Sequence, residues 1–491
     1  MPSAAERYHE DTKYTPENVR RPGRGLDFDK QPVPFKDYAT GTAYDLTRFL
    51  PEGEELKSDA ELEAWRAQLP SADQDLAALS HLLYFTNGIT AVIPYGGQPL
   101  LLRAAPSAGG LYPTELYVAV RDHAVLPDGL YNYQVRDHSL VCFWAHDPWP
   151  RLREATFHHP ALEQSGLLVI ATGVYFRSAW RYEDRAYRRI LLDTGHVLGN
   201  LGLYAPVLGW QTQAIGGFAD GAVEDLLFLD PEEEGVVAIA AVLPAGKPLT
   251  GPSALPGPVS TGVSVPEGRR LLALHAAGKL TEATPPPEAA SGEEKYTFAF
   301  GETLADVPVP FDAQLGPTII RRRSTRAYSG DGLTREELAA LLGFTYGQSG
   351  GLFAPELLET FLAVHDVTGL DAGCYHYRPE KRELRQIRFT ALRDEVQYLA
   401  LGQDLAGRAG AVVFHTADLP RAVARYGDRV YRYLHLDAGH LGQRLNVAAI
   451  RLGLGVSGIG GFFDDQVNDM LGIPEREAVL YLTTLGRPES R

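Results

Sequence analysis

Asp193-Thr-Gly-His196 and Ile215-Gly-Gly-Phe218 return later in the chain as Asp437-Ala-Gly-His440 and Ile459-Gly-Gly-Phe462. The shift is 244 residues in both cases, from 193 to 437 and from 215 to 459. Arg181-Tyr182 recurs at the same offset as Arg425-Tyr426, each followed by Asp-Arg, one further residue and Tyr-Arg. Gly129-Leu-Tyr-Asn-Tyr133 recurs as Gly373-Cys-Tyr-His-Tyr377. One offset held across four motifs marks a duplicated domain, since solenoid repeats have much shorter periods.

The two halves share a coarse pattern. Ser71 with Gln74, and Thr334 with Glu337, read as capping boxes opening a helix in each half. Apolar strands are predicted at 115–120, 166–172 and 235–243, matched by 360–364, 410–416 and 478–485. Long helices are predicted over 187–208 and 431–452. Strands and helices mix without a βαβ rhythm, so the fold class is α+β. Two domains are expected, over 1–243 and 295–491. Between them lies a Pro-rich linker over 244–294, with Pro252, Pro256, Pro258, Pro285, Pro286 and Pro287 and one short helix over 269–280.

Composition narrows the function. A chain of 491 residues with 45% hydrophobic and 22% charged residues is an ordinary globular protein. Its net charge of −16 argues against a nucleic-acid surface, which needs clustered cations. Cys142 and Cys374 alone make neither a disulfide framework nor a thiolate metal site. The polar N-terminal stretch has no apolar core of a secretory signal, and no apolar run reaches the roughly 18 residues of a membrane span. The expected compartment is the cytoplasm.

Three segments carry candidate chemistry. Arg321-Arg-Arg-Ser-Thr-Arg326 sets four guanidiniums around Ser324, a group able to clamp phosphate or simply a solvated basic turn. Pro106-Ser-Ala-Gly-Gly-Leu-Tyr-Pro113 is a tight segment whose backbone can approach a flat ligand, or a plain turn before a strand. Gly460-Gly461 can offer backbone N–H groups to a ring nitrogen, though a Gly pair is often only a turn. No dinucleotide fingerprint or P-loop is present. The matching His196 and His440 read as core or supporting residues, His158-His159 has no partner at ligand spacing, and no metal is expected.

Together these segments resemble the nitroreductase superfamily, and within it the SagB-type branch, whose members include azoline dehydrogenases. Arg322 to Tyr328 resembles the family's phosphate-binding motif. Pro106 to Pro113 resembles the branch's Pro-Ser segment, and Gly458 to Phe462 the flavin-contacting turn. Tyr8 to Val19 is similar to the start of SagB-type chains. The resemblance implies a mixed sheet wrapped by helices, a dimer, and FMN at its interface. Arg322, Ser324, Arg326, Gly460, Gly461 and Arg487 would come from one half, and Pro106, Ser107, Ala108 and Gly109 from the other.

The halves differ in complementary ways. The first has the Pro-Ser segment, but its region Pro32 to Thr42 has no Arg-Ser-Arg motif and its last strand ends without an Arg. The second has the basic elements, but around Gly350 reads Gly-Gly-Leu-Phe-Ala-Pro-Glu. One complete site per chain is therefore expected, in an intramolecular pseudo-dimer. Azoline dehydrogenases carry a Lys-Tyr pair where this chain has Arg181-Tyr182 and Arg425-Tyr426. Arg stays protonated and cannot be a base, so Tyr182 and Tyr426 are the catalytic candidates. The alternative for these motifs is a structural ion-pair network at a helix start. The resemblance implies an FMN-dependent oxidoreductase acting on an azoline-like peptide or a small electrophile, with NAD(P)H as candidate donor. The alternative is a decayed flavin-binding protein or scaffold of a peptide-modifying complex.

Overall fold

A computed structural model of the chain describes residues 2–20, 25–50, 57–95, 98–246, 255–257, 268–287, 300–347, 351–390 and 392–489. Each half carries a seven-stranded sheet. In the first the order is Thr42–Asp45, Ser139–Trp144, Gly129–Gln134, Thr114–Val120, Leu167–Val174, Glu234–Pro244, Trp210–Ile215. In the second it is Gly301–Thr303, Glu383–Arg388, Gly373–Arg378, Glu359–Val364, Ala411–Asp418, Glu477–Gly486, Gly455–Ile459, the same arrangement strand for strand. Even the irregularities repeat. Bulges fall at Leu130/Tyr131 and Ala171/Thr172, and again at Cys374/Tyr375 and His415/Thr416. The α+β expectation agrees with this architecture. The mixed sheet does not: every described pairing within the two sheets is antiparallel.

Both faces of the sheets are covered, which is why the central strands read as continuous apolar runs. Val118 and Val120 enter one core, while Tyr117 and Ala119 enter another on the opposite face. The long helices run over Ala186–Tyr204, followed by a turn of 3₁₀ helix at Ala205–Leu208, and over Val430–Arg451. They cross each other at the Asp-x-Gly-His motif. A Cβ on Gly195 would lie 2.3 Å from the Leu436 carbonyl oxygen, and one on Gly439 would lie 2.2 Å from that of Leu192. Only glycine lets the backbones approach this closely.

Ion pairs lock the crossing reciprocally. Arg185 and Arg188 of the first half close on Asp464 of the second, and Arg429 and Arg432 close on Asp220 of the first. All six side chains are at most 3% exposed. The arginines of the Asp-Arg-x-Tyr-Arg repeat therefore belong to a buried ion-pair network between the halves.

Local signals place the remaining helices. Thr334 caps the helix Arg335–Tyr346 with a full capping box. Ser71 does not cap its helix: it is the first helical residue, and Gln74 donates instead to the carbonyl of Leu69 at 2.8 Å. The expected linker helix spans Arg270–Ala277. Much of 244–294, including Pro252 and Pro258, lies outside the described residues, as does Gly350.

That short helix has a counterpart in Ala4–Asp11. His9 Nδ1 meets the Tyr431 hydroxyl at 3.1 Å, and His275 Nδ1 meets that of Tyr187 at 2.9 Å. Tyr14 N–H donates to Asp464, and Leu280 N–H to Asp220. The segment Tyr8 to Tyr14 and the segment Leu274 to Leu280 thus hold equivalent places, at an offset of 266, from 9 to 275 and from 14 to 280. No helix among the described residues is long and apolar enough to cross a membrane.

Candidate functional site

Between the halves lies a cleft of about 460 Å³. Its size falls within the range of small-molecule and cofactor pockets. The first half supplies the loop Pro106 to Gly110, with Tyr182, Arg189, Asp193 and His196. The second supplies Ser324, Arg326, the edge Ser457 to Gly461, and Tyr481. Tyr14 also faces the cleft. The structure thus brings together Pro106, Ser107, Ala108, Gly109, Ser324, Arg326, Gly460, Gly461 and Tyr182.

The Pro-Ser loop is held from below by the repeat motif. Ser107 Oγ donates to Asp193 Oδ2 at 2.6 Å, and the Ala108 N–H donates to the same carboxyl at 3.2 Å. Burial pushes the Asp193 carboxyl up to about 7, against these donors. Gly109 sits at φ 66°, and a Cβ there would lie 2.9 Å from the Tyr182 hydroxyl. A side chain at Gly109 would therefore be strained and would press on Tyr182. Asp437 does the same work in the second half, accepting from the N–H groups of Leu352, Phe353 and Ala354 at 2.6, 3.1 and 2.8 Å. Burial raises its carboxyl to about 6.

On the opposite wall, the Gly460 and Gly461 N–H groups donate to no protein acceptor among the described residues. Arg189 Nη1 donates to the Gly460 carbonyl at 2.9 Å, and its guanidinium stacks 3.9 Å from the Tyr182 ring centre. Gly458 is required by Tyr481, whose hydroxyl would lie 1.7 Å from a Cβ there. That hydroxyl stands 3.3 Å from His196 Nε2, while His196 Nδ1 faces the Leu192 carbonyl at 2.8 Å. Burial lowers His196 to about 4, so the imidazole is neutral at pH 7.

Three expected site residues lie elsewhere. Arg322 is buried, donating from Nε to the Ala104 carbonyl at 2.8 Å and from Nη2 to that of Arg103 at 3.2 Å. It ties the second half to the strand leading into Pro106, and burial lowers its guanidinium to about 10. Arg487 pairs with Glu337 at 2.8 Å, which draws it to the start of the Arg335–Tyr346 helix. Tyr426 is buried edge-on against Tyr433, away from the cleft. Arg189, Tyr481 and Tyr14 join the cleft without being site candidates in the sequence. Arg189 did leave a signal, since its partner at the 244 offset is Tyr433, a break in an otherwise repeated motif.

The pseudo-equivalent place in front of Gly216 and Gly217 is filled by protein. A Cβ on Gly216 would lie 2.2 Å from Leu255 Cδ2 and 3.1 Å from the Phe353 ring, and one on Gly217 would lie 2.5 Å from Pro256 Cγ. The Tyr433 hydroxyl donates to the Gly216 carbonyl at 2.7 Å, as Arg189 does to that of Gly460.

Comparison with known proteins identifies the family of each half. The nitroreductase family matches residues 71–247 and 319–487. A crystal structure of a nitroreductase-like protein from Anabaena variabilis is 49% identical and covers 100% of both chains with a TM-score of 0.88. A nitroreductase-like protein of Methanocaldococcus jannaschii is 33% identical over 198 residues, 38% of this chain and 98% of its own length. The trifolitoxin-processing protein TfxB of Rhizobium leguminosarum bv. trifolii is 32% identical over 183 residues, 36% of this chain and 49% of TfxB. The chain therefore belongs to the nitroreductase family, with one family domain in each half.

Proposed function

We propose that this chain is an FMN-dependent oxidoreductase of the SagB-type branch with one flavin per chain, bound in the cleft between its halves. The observation that carries this reading is the asymmetry of the two clefts. One is open and lined from both halves, while the other is filled by Leu255, Pro256, Phe353 and Tyr433.

The residues of the open cleft fit the cofactor. Ser324 and Arg326 form the phosphate end, and Arg326 makes no ion pair among the described residues. The N–H groups of Gly460 and Gly461 form the ring end. From Ser457 to Gly461 an extended chain covers roughly 13 Å, long enough to reach from a phosphate to the ring system it is tethered to. Arg322 supports the loop through Nε and Nη2 while its Nη1 is buried without a protein partner, and Arg487 pairs with Glu337.

When bound, the flavin supplies hydride transfer. The chain positions the reactants. Asp193 fixes the Pro-Ser loop, and Arg189 fixes the Gly460 turn. Tyr182 is the acid–base candidate at the cleft, because the neighbouring guanidiniums cannot act as bases. The likeness to a trifolitoxin-processing protein favours a peptide substrate over a small electrophile. The visible spectrum tests the reading. Yellow protein bleached by NAD(P)H and recoloured by an acceptor supports it. Colourless protein that takes up no FMN points to a scaffold in a peptide-modifying complex.

A further inference from the structure

Tyr182 is flanked by two arginines that close on no acid. Arg189 stacks on its ring at 3.9 Å, and the exposed Arg181 sits 5.8 Å from its centre beside Gly109 of the cleft loop. Neither forms an ion pair among the described residues. Their neighbours on the same segment behave differently, since Arg185 and Arg188 are both spent on Asp464. The nearest acid in the cleft is Asp193, which is already engaged by Ser107 and Ala108.

The duplication supplies an internal control. At the 244 offset, Arg181 becomes Arg425, which pairs with Glu356 at 3.4 Å, and Arg189 becomes Tyr433. The closed half thus keeps the hydrogen bond to the glycine turn but carries no free cation there. The Gly216 carbonyl accepts from the Tyr433 hydroxyl at 2.7 Å and from Arg429 Nε at 2.9 Å, and the charge of Arg429 is met by Asp220. At the Gly460 turn the guanidinium is Arg189, whose charge meets no acid among the described residues. It stands in an otherwise acidic chain of net charge −16, whose field opposes anions, so a local cation pair is what an anionic ligand would require.

We infer that Arg189 and Arg181 form an oxyanion-recognition end of the cleft, and that the reacting molecule carries a carboxylate which they bind beside Tyr182. This rests on the flavin reading for what the substrate does next, but not for the recognition itself. The guanidinium fork matches a carboxylate, and charge-assisted hydrogen bonds in a partly buried cleft favour it over a neutral amide of the same shape by about tenfold or more.

Calorimetric titration with benzoate and with benzamide tests this on the full chain, after its flavin content has been measured in the same sample. Benzoate is expected to bind at least about tenfold tighter than benzamide. Arg189→Tyr, which preserves a donor to Gly460, should abolish that preference, and Arg189→Lys should keep most of it. Arg181→Gln should reduce it. Equal binding of the two probes, or a preference that survives Arg189→Tyr, would overturn the inference. So would an Arg189→Tyr variant that loses only its flavin while the benzoate preference stands, because Arg189 would then serve the cofactor. A chain that takes up no flavin would refute the functional reading alone, and the preference for benzoate is still measured on it.

Discussion

Replacing Asp464 or Asp220 with Ala breaks one of the two reciprocal ion-pair clusters between the halves. Asp464 accepts from Arg185 Nη1 at 2.9 Å, Arg188 Nη1 at 2.7 Å and the Tyr14 N–H at 3.0 Å. Asp220 accepts from Arg429 and Arg432 Nη1, each at 2.7 Å, and from the Leu280 N–H at 2.9 Å. Each substitution strands two guanidiniums with side chains no more than 3% exposed. Breaking a buried pair from one side costs about 3–5 kcal/mol, whereas an exposed pair costs at most about 1 kcal/mol. Urea unfolding followed by circular dichroism should therefore give losses of about 3–5 kcal/mol for both variants, alike because the clusters are alike. Their effects on the cleft should differ. Asp464 anchors Tyr14, which faces the open cleft, so Asp464→Ala should lose flavin more readily than Asp220→Ala. Acid should bring out the same interaction. Burial raises both carboxyls, but the paired arginines outweigh it and hold them below the usual range. A depressed native value stabilises fully above the unfolded value of about 3.9 and is lost as pH falls through the native value. The wild type should lose this contribution on acidification, and each variant should lack one cluster's share at every pH. A loss below about 1 kcal/mol in either variant would refute the idea that these pairs bind the halves together.

Other consequences are as specific. Gly439→Ala places a Cβ 2.2 Å from the Leu192 carbonyl, so the long helices must separate, and thermal unfolding should report a loss of about 1–3 kcal/mol. Asp193 holds its proton up to about 7 in the folded chain but only to about 3.9 when unfolded, so it makes stability fall as pH rises between those values. Asp193→Asn should flatten that slope, by at most about 4 kcal/mol across the window, in denaturation series run from pH 4 to pH 7. Tyr182→Phe should lower turnover with flavin content unchanged, while Tyr426→Phe should leave turnover intact, because Tyr426 lies outside the cleft. Steady-state rates at matched flavin content check both.

Much of the fold was legible because a duplication writes each structural need twice. The Asp-x-Gly-His repeat pointed to something shared, and the structure supplies two physical reasons. The Asp carries a loop, and the Gly admits the facing helix. The second copy of the N-terminal helix escaped notice because its offset is 266 rather than 244, and little beyond His275 and Lys279 survives from His9 and Lys13. The antiparallel sheets were hidden by burial on both faces, which erases the alternation that reveals an antiparallel strand. Two motifs set by backbone geometry, Pro106 to Gly109 and Gly460 with Gly461, line one cleft. Long charged side chains were less predictable. Arg487 and Arg322 are placed by partners distant in sequence, Glu337 and the carbonyls of Arg103 and Ala104, which spacing alone does not reveal. Tyr426 repeats Tyr182 in sequence but packs into the closed half, where Tyr433 stands in place of Arg189.

Flavin stoichiometry decides whether two fused halves build one flavin site. Purified chain saturated with FMN, freed of loose ligand and assayed for flavin against protein concentration, measures it. One FMN per chain is expected, unchanged by substitutions at Leu255 or Phe353 that leave those residues large. Two tightly bound FMN per chain would contradict it, because the cleft beside Gly216 would then have to empty itself of its own side chains.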